Sequence, residues 1–349
     1  MDKIIPSYNL TFTYMVLNGF ELDPDYYGCP EEMHNRPPHT ARPYWGLWFI
    51  GSGIIMLMLY IPCFFAIITS PLLKTPAYKV MLALAIYDIT CIFMHSIFTG
   101  FLGYFGTNFC DYPKLFACLG YTAMFSWMGC CISSMTLAVI RVCDLNMMTR
   151  MKKCFQGNNV YFFIFAFFVY SVGSGTLTQP AIFTPTYMSW FFDPMIGKKP
   201  EYYVNLPHTY NNIIMAVCTT LFYGFLSYLG CKAPASTANS PSKKYTIILQ
   251  SFLFCIFHTL AASLYAFMQF VAAPPNLIIF TQIVWQASSG SVCIVYLTLN
   301  KTLRTSVMRM FCPKPIIYGT RISSMLINSN NTPQIRSPHA RSPRVNSIY

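Results

Sequence analysis

Seven apolar runs divide the chain, at residues 44–69, 80–104, 115–140, 160–182, 209–229, 245–272 and 276–299, and among them Asp88 is the one charged side chain. Each reaches the roughly 20 residues that a helix needs to cross about 30 Å of hydrocarbon. Lipid offers no water to backbone amides, so runs of this length must close their own hydrogen bonds as helices. The expected fold is an all-α membrane protein, a seven-transmembrane helix bundle. It divides into an exterior N-terminal segment, 1–43, a membrane domain with a short amphipathic helix after the last span, 44–312, and a disordered cytoplasmic tail, 313–349, rich in Ser, Asn and Pro.

Charge sets the orientation. Lys74, Lys79, Arg141, Arg150, Lys152, Lys153, Lys232, Lys243 and Lys244 fall in the loops on one side, and eight more basic residues follow in the C-terminal tail, which puts 17 of the 23 on one face. The positive-inside rule makes that face cytoplasmic and leaves the N-terminus outside. Nine of the eleven acidic residues lie in the exterior segments. Asn9-Leu10-Thr11 is a glycosylation acceptor on that exterior side, whereas the sequons at Asn300 and Asn330 face the cytoplasm and stay unused. The first 43 residues lack the basic start, apolar run and small-residue cleavage site of a signal peptide, so the first span is expected to carry the N-terminus across.

Composition agrees with the pattern. At 54% hydrophobic and 10% charged residues, a soluble fold of 349 residues would lack polar surface. The net charge of +12 sits beside the spans and is not interleaved with aromatics on a polar domain. Its expected partner is anionic membrane lipid, and not nucleic acid. Most of the 14 cysteines lie within spans or on the reducing side, where Cys143, Cys154, Cys231 and Cys312 should remain thiols. Cys29 and Cys110 are clearly exterior, with Cys118 at the border, and a Cys29–Cys110 bridge is expected to tie the N-terminal segment to the mouth of the third span; two free thiols are the alternative. Cys312, beyond the last span, is a candidate palmitate acceptor or a plain thiol.

No catalytic constellation emerges. The chain has no Gly-rich phosphate loop, no Cys-x-x-Cys or His-Glu-x-x-His metal pattern, and no second intramembrane acid for Asp88. No cofactor is implied, and the expectation is a protein that is not an enzyme. His95 lies about two turns from Asp88 in the second span, and His258 is read as standing alone in the sixth. Asp88, in Leu84-Ala85-Ile86-Tyr87-Asp88, costs on the order of several kcal/mol in lipid unless bonded, protonated or paired. It is read as a polar hinge of the bundle or, more simply, as a protonated acid bonded to a neighbouring Ser or Thr. Arg141 ends the third span at the cytoplasmic boundary, where a guanidinium snorkels, caps carbonyls, or pairs across the bundle until an intracellular partner displaces that contact.

Several motifs carry a resemblance: Tyr26-Tyr27-Gly28-Cys29, Leu59-Tyr60-Ile61-Pro62-Cys63, Leu137-Ala138-Val139-Ile140-Arg141 through Asp144-Leu145, Gln250-Ser251 with Ala261-Ala262 and Tyr265, Met268-Gln269-Phe270, and Tyr296-Leu297-Thr298-Leu299-Asn300-Lys301. Over roughly 17–312 the chain resembles the nematode serpentine chemoreceptors of class T, the Srt family, within the G-protein-coupled receptors. It departs from rhodopsin-like receptors. Ile140 stands where an acid precedes the arginine, with Asp144 as a candidate substitute. The first span lacks the usual asparagine and the fourth its tryptophan. The sixth has neither Cys-Trp-x-Pro nor any proline, and the seventh keeps only Tyr296 of Asn-Pro-x-x-Tyr. The exterior loop 183–208 contains no cysteine to bridge to the third span.

The resemblance implies a plasma-membrane receptor of sensory cilia that binds a small molecule in the outer half of the bundle and activates a heterotrimeric G protein. Tyr121, Met124, Tyr210, Tyr265, Met268, Gln282, Trp285 and Gln286 fall at outer levels of the third, fifth, sixth and seventh spans and form the candidate ligand set; each is also the kind of residue that packs helix on helix or faces lipid. Asp88, Arg141 and Tyr296 form the candidate switch. Residues 301–311 alternate basic and apolar at helical spacing, as a membrane-surface helix does. Ser337 and Ser342 sit in a short Arg-Ser-Pro repeat. A small-solute transporter would need internal repeats or a broken helix, for which only Val172-Gly173-Ser174-Gly175 offers a candidate. A ligand-gated channel would invert the orientation. Nothing in the sequence sets an oligomeric state.

Overall fold

Proline starts most of the long helices. Pro43, Pro76, Pro113, Pro241 and Pro275 each occupy the first position of a membrane-length helix. There the missing N–H is no loss and the fixed φ is already helical. The computed structural model describes residues 8–34, 41–145, 149–232 and 241–311. Over these, three short helices, α1 (Phe12–Leu17), α2 (Pro24–Tyr27) and α3 (Glu31–His34), precede the bundle. The spans follow as α4 (Pro43–Thr69), α5 (Pro76–Ile92) continuing into α6 (Thr99–Phe105), and α7 (Pro113–Leu145). After the short α8 (Thr149–Phe155) come α9 (Asn159–Thr176), α10 (Leu206–Lys232), α11 (Pro241–Met268) and α12 (Pro275–Leu299), and α13 (Lys301–Phe311) ends the described chain. The bundle unit runs to Val307, and the second unit, from Met308, is described only through the last residues of α13.

Two features depart from the apolar pattern. The fourth run was expected to continue to residue 182, but α9 stops at Thr176 and Ile182–Thr184 forms β1. Pro180 has no N–H and pushes Gln179 out of helical space, so the apolar residues beyond it leave the helix. β1 pairs antiparallel with β2 (Ser189–Phe191), in the register Ile182↔Phe191 and Thr184↔Ser189. Both strands are largely buried, and the apolar run ends on Ile182, the first residue of β1, with the rest of the hairpin falling in the stretch read as an exterior loop. The second departure is a π-helical turn, Phe93–Phe98, joining α5 to α6. Such turns cluster at functional sites.

Burial ranks the helices. The apolar windows of α7 and α12 are mostly buried, while α4 and α9 turn large side chains such as Ile55, Met58, Phe162 and Phe165 outward. The buried residues form two clusters. One gathers Trp127, Met128, Phe183, Trp190 and Trp285 at the hairpin end; the other gathers Tyr60, Met81, Cys130, Tyr296 and Leu303 toward the opposite end. In α13, Leu303 and Val307 are one turn apart and buried, while Lys301 and Arg304 are exposed.

The N-terminal segment closes the hairpin end. Cys29 and Cys110 are joined in a disulfide with Cα atoms 5.8 Å apart. Tyr27 donates its hydroxyl to the Leu10 carbonyl at 3.0 Å, and burial pushes that phenol well above its ordinary range, so it stays a donor. Tyr203 bonds the Tyr26 carbonyl, and Thr13 the carbonyl of Thr176 at 2.8 Å. Asp23 caps α2 through Asp25 N–H, and its other oxygen accepts from Asn9 Nδ2 at 2.5 Å. The sequon amide is thus engaged in the folded segment.

Candidate functional site

Beneath the hairpin, residues from four helices meet β2. α7 contributes Ala123, Met124 and Trp127, spaced to share one face, and α11 contributes Tyr265 and Met268 with Gln269 just beyond. His208 comes from α10 and Trp285 from α12; Ala181 and the run Trp190-Phe191-Phe192 close the lid. They line a partly open cavity of about 50 Å³, room for a few water molecules. The aromatic rings are interlocked edge to face: Trp285 lies 5.7 Å from Tyr265 and 6.1 Å from Trp127, and Phe192 lies 5.0 Å from His208. A ligand larger than a few heavy atoms has to move this lid or these rings.

The polar groups of the lining can be assigned in sequence. An indole N–H only donates, so the 2.9 Å contact from Trp127 Nε1 fixes Oδ1 of Asn212 as the acceptor. Nδ2 of Asn212 then faces His208 Nε2 at 3.3 Å as a donor, which places the His208 proton on Nδ1. His208 Nδ1 and Trp285 Nε1 are both buried without a hydrogen-bond partner. Each forgoes about 1–3 kcal/mol. His208 and Trp285 thus bring two unsatisfied donors to the wall of the cavity.

Of the residues expected to bind ligand, Met124, Tyr265, Met268 and Trp285 line this cavity. Gln282 sits beneath it, accepting from the Tyr265 hydroxyl at 2.9 Å and donating to the His95 carbonyl at 3.1 Å. The other three lie elsewhere. Tyr121 stacks on Phe12 of the N-terminal segment at 4.6 Å, on the α9 side of α7. Tyr210 is 59% exposed on the outside of the bundle. Gln286 donates to Ser52 at 2.7 Å and Ser96 at 2.8 Å, bridging α4 and the π-helical turn. Trp127, His208 and the hairpin aromatics went unread. Trp127 was within reach of sequence reasoning, one turn from Met124 on the same face.

Deeper in the bundle, Asp88 is fully buried. Tyr60 donates its hydroxyl to one carboxylate oxygen at 2.6 Å, and Cys130 Sγ lies 3.2 Å from the other. His258 does not stand alone as expected: its ring stacks on Trp127, and its donor atom, that of Cys130 and a carboxylate oxygen of Asp88 all lie within 4.8 Å of one another. Helices α5, α7 and α11 converge here, an arrangement that spacing along one chain cannot display. His95 instead turns Nδ1 to Ser96 Oγ at 2.8 Å.

Tyr296 is buried within electrostatic reach of Asp88 on one side and Arg141 on the other. Arg141 reaches Met81 Sδ at 3.8 Å and borders a cavity of about 330 Å³ with Tyr78, Cys143, Lys152 and Gln156 at the end away from the hairpin. Among the described residues, the ion pair present joins Lys114 to Glu21 at the other end. The side chains of Asp144 and Arg150, and Cys312, Ser337 and Ser342 altogether, lie outside the described residues.

Comparison with known proteins points one way. The family described as "Serpentine type 7TM GPCR chemoreceptor Srt" matches residues 10–319. Serpentine receptor class T-55 of Caenorhabditis elegans is 27% identical over 291 residues, covering 81% of this chain and 80% of that relative.

Proposed function

Because the chain belongs to the serpentine 7TM GPCR chemoreceptor family Srt, a family of multi-pass membrane proteins, we propose that it is a chemosensory receptor activating a heterotrimeric G protein. The observation that carries this reading is the narrow aromatic cavity, with two unsatisfied N–H donors in its wall residues, above a buried polar core. Its ligand is a small, mostly apolar molecule bearing a hydrogen-bond acceptor such as a carbonyl or ether oxygen. The acceptor meets His208 Nδ1–H and Trp285 Nε1–H, while Met124, Met268 and the hairpin aromatics surround the apolar part.

Activation follows from the cavity's size. A ligand that fits only when the rings part binds the expanded arrangement more tightly, and a differential of a few kcal/mol is enough to invert a two-state population. Trp285 and Trp127 hand the change downward, since Trp127 stacks on His258 beside Asp88. From there Tyr60 and Tyr296 connect Asp88 toward Arg141. In this reading the hairpin end faces outward, and residues 8–34 form its cap. The Arg141 cavity faces the cytoplasm and receives the G protein, α13 lies along the inner leaflet, Cys312 carries palmitate, and the receptor works in the plasma membrane of sensory cilia.

The test is calcium imaging of cells expressing the full chain and a matching G protein, challenged with a chemical panel, with Arg141→Ala as control. Loss of the response in Arg141→Ala at equal surface level is expected; a response that persists would overturn the proposed coupling. Ligand chemistry is tested separately. Trp285→Phe keeps an aromatic ring, smaller than the indole, and deletes the donor, so agonists bearing an acceptor should weaken about 5–150-fold, the equivalent of about 1–3 kcal/mol, beyond any loss of packing. Hydrocarbon analogues report the packing loss alone and should weaken less; equal losses for both sets would sink the donor assignment. Glycosidase sensitivity that disappears in Asn9→Gln would place the N-terminus outside; its absence, with antibody access to the C-terminus of intact cells, would invert the orientation.

A further inference from the structure

We propose that Asp88, Cys130 and His258, with Cys91 as a fourth donor, form an intramembrane site for a borderline-soft divalent cation of the zinc(II) type. The inference rests on the geometry of the polar core and not on the receptor reading. The donor atoms of Asp88, Cys130 and His258 lie within 4.8 Å of one another, and Cys91 Sγ is 3.7 Å from Cys130 Sγ. A tetrahedral centre with bonds of about 2.3 Å to sulfur sets its two sulfurs about 3.8 Å apart, and sulfur and carboxylate oxygen about 3.5 Å apart. The observed 3.7 Å and the 3.2 Å from Cys130 to Asp88 are close to those values. The imidazole has to close in by an ångström or so, and Cys91, near Cys130 but outside the group within 4.8 Å, has to turn toward Asp88 and His258 as well.

Donor chemistry selects the ion. Sodium, magnesium and calcium ask for shells of oxygen, whereas thiolate, imidazole and carboxylate together suit zinc. Cys130 and Cys91 bind as thiolates, because a thiol that coordinates zinc gives up its proton; with the Asp88 carboxylate and neutral His258 they more than offset the 2+ ion and leave a single net negative charge. Binding releases the Cys130 and Cys91 thiol protons to solvent, together with a carboxyl proton where Asp88 holds one. The remaining Asp88 oxygen is held by Tyr60, as outer-shell partners hold metal-bound carboxylates. Four donors from α5, α7 and α11 would pin three spans together. Since all four are buried, the ion enters as the bundle assembles.

The full chain, purified in detergent with zinc(II) in the buffer and then desalted, should hold about one zinc per molecule. Cobalt(II) exchanged into the site should give tetrahedral d–d bands and a thiolate charge-transfer band. Cys130→Ser and His258→Phe should lose both signals, and Tyr60→Phe should weaken zinc affinity about 10–100-fold. Cys118→Ala and Cys218→Ala, at half-buried cysteines elsewhere, should leave them intact. The wild-type measurement decides even where a variant fails to fold. No zinc retained, a cobalt spectrum without the thiolate band, or metal lost equally from the Cys118 and Cys218 controls would each overturn the proposal.

Discussion

Replacing Cys29 or Cys110 with serine is expected to lower stability by up to about 4.5 kcal/mol and to remove most of the receptor from the cell surface. The disulfide closes a separation of 81 residues, and the chain-entropy relation assigns that figure to a loop of this length. It is an upper bound, because α4 and α5 stay inserted in the unfolded state and restrict the loop on their own. The bond also anchors the contacts that close the hairpin end. Tyr27 bonds Leu10 within the N-terminal segment, Tyr203 ties Tyr26 to the stretch after β2, and Gln179 holds Tyr203 in turn; the first two lie within three residues of Cys29 and depend on where it is held. Both single variants and the double variant remove the same bond, so their melting temperatures should coincide. Three different values, or a loss below about 1 kcal/mol in each, would show that the segment is held by its side chains and not by the bridge.

Much of this architecture was legible because hydrocarbon imposes a length. A stretch of about 20 apolar residues has few alternatives in lipid, so the seven spans and their order follow from the sequence. What lipid does not impose is which face of a span turns inward. Tyr265 and Tyr210 look equivalent in sequence, yet one lines the cavity and the other is exposed, because the medium outside the bundle is as apolar as its interior. The hairpin was hidden for a related reason. Ile182 and Phe183 are buried as deeply as any span residue, so hydropathy carried the fourth run past Pro180 and into a strand.

The polar core was half legible. Asp88 announced itself as a lone charge, and its partner Tyr60 lies in a motif already singled out in the first span. Cys130 and His258 could not be found the same way: their spacing from Asp88 along the chain, 42 and 170 residues, says nothing until the helices pack. The Cys29–Cys110 pairing was accessible because so few cysteines lie outside the spans.

Gly120→Ala is expected to cost about 3 kcal/mol or more, reversing the usual gain of about 1 kcal/mol when alanine replaces glycine in a helix. A β-carbon at this point of α7 would stand 2.0 Å from the carbonyl oxygen of Ala181 and 2.9 Å from its backbone nitrogen. Neither atom belongs to a side chain that can swing aside. Ala181 must retreat by about 1 Å or more to reach an ordinary contact, and it lies between Pro180 and the first residue of β1, so the strand goes with it. Trp190 pairs with Phe183 across the hairpin and donates its indole N–H to Thr99 at 2.8 Å, and that bond is pulled as the strand shifts. The cavity beneath should change shape, and ligand potency should fall together with thermal stability. Gly173→Ala is the matched control, because nothing lies within 4 Å of its added carbon; it should be neutral or stabilising by about 0.5–1 kcal/mol. The candidate break that a transporter would need, Val172-Gly173-Ser174-Gly175, is not one, since α9 runs through Gly173 as unbroken helix to Thr176. If Gly120→Ala melts no lower than Gly173→Ala, the hairpin is not seated on α7 as described.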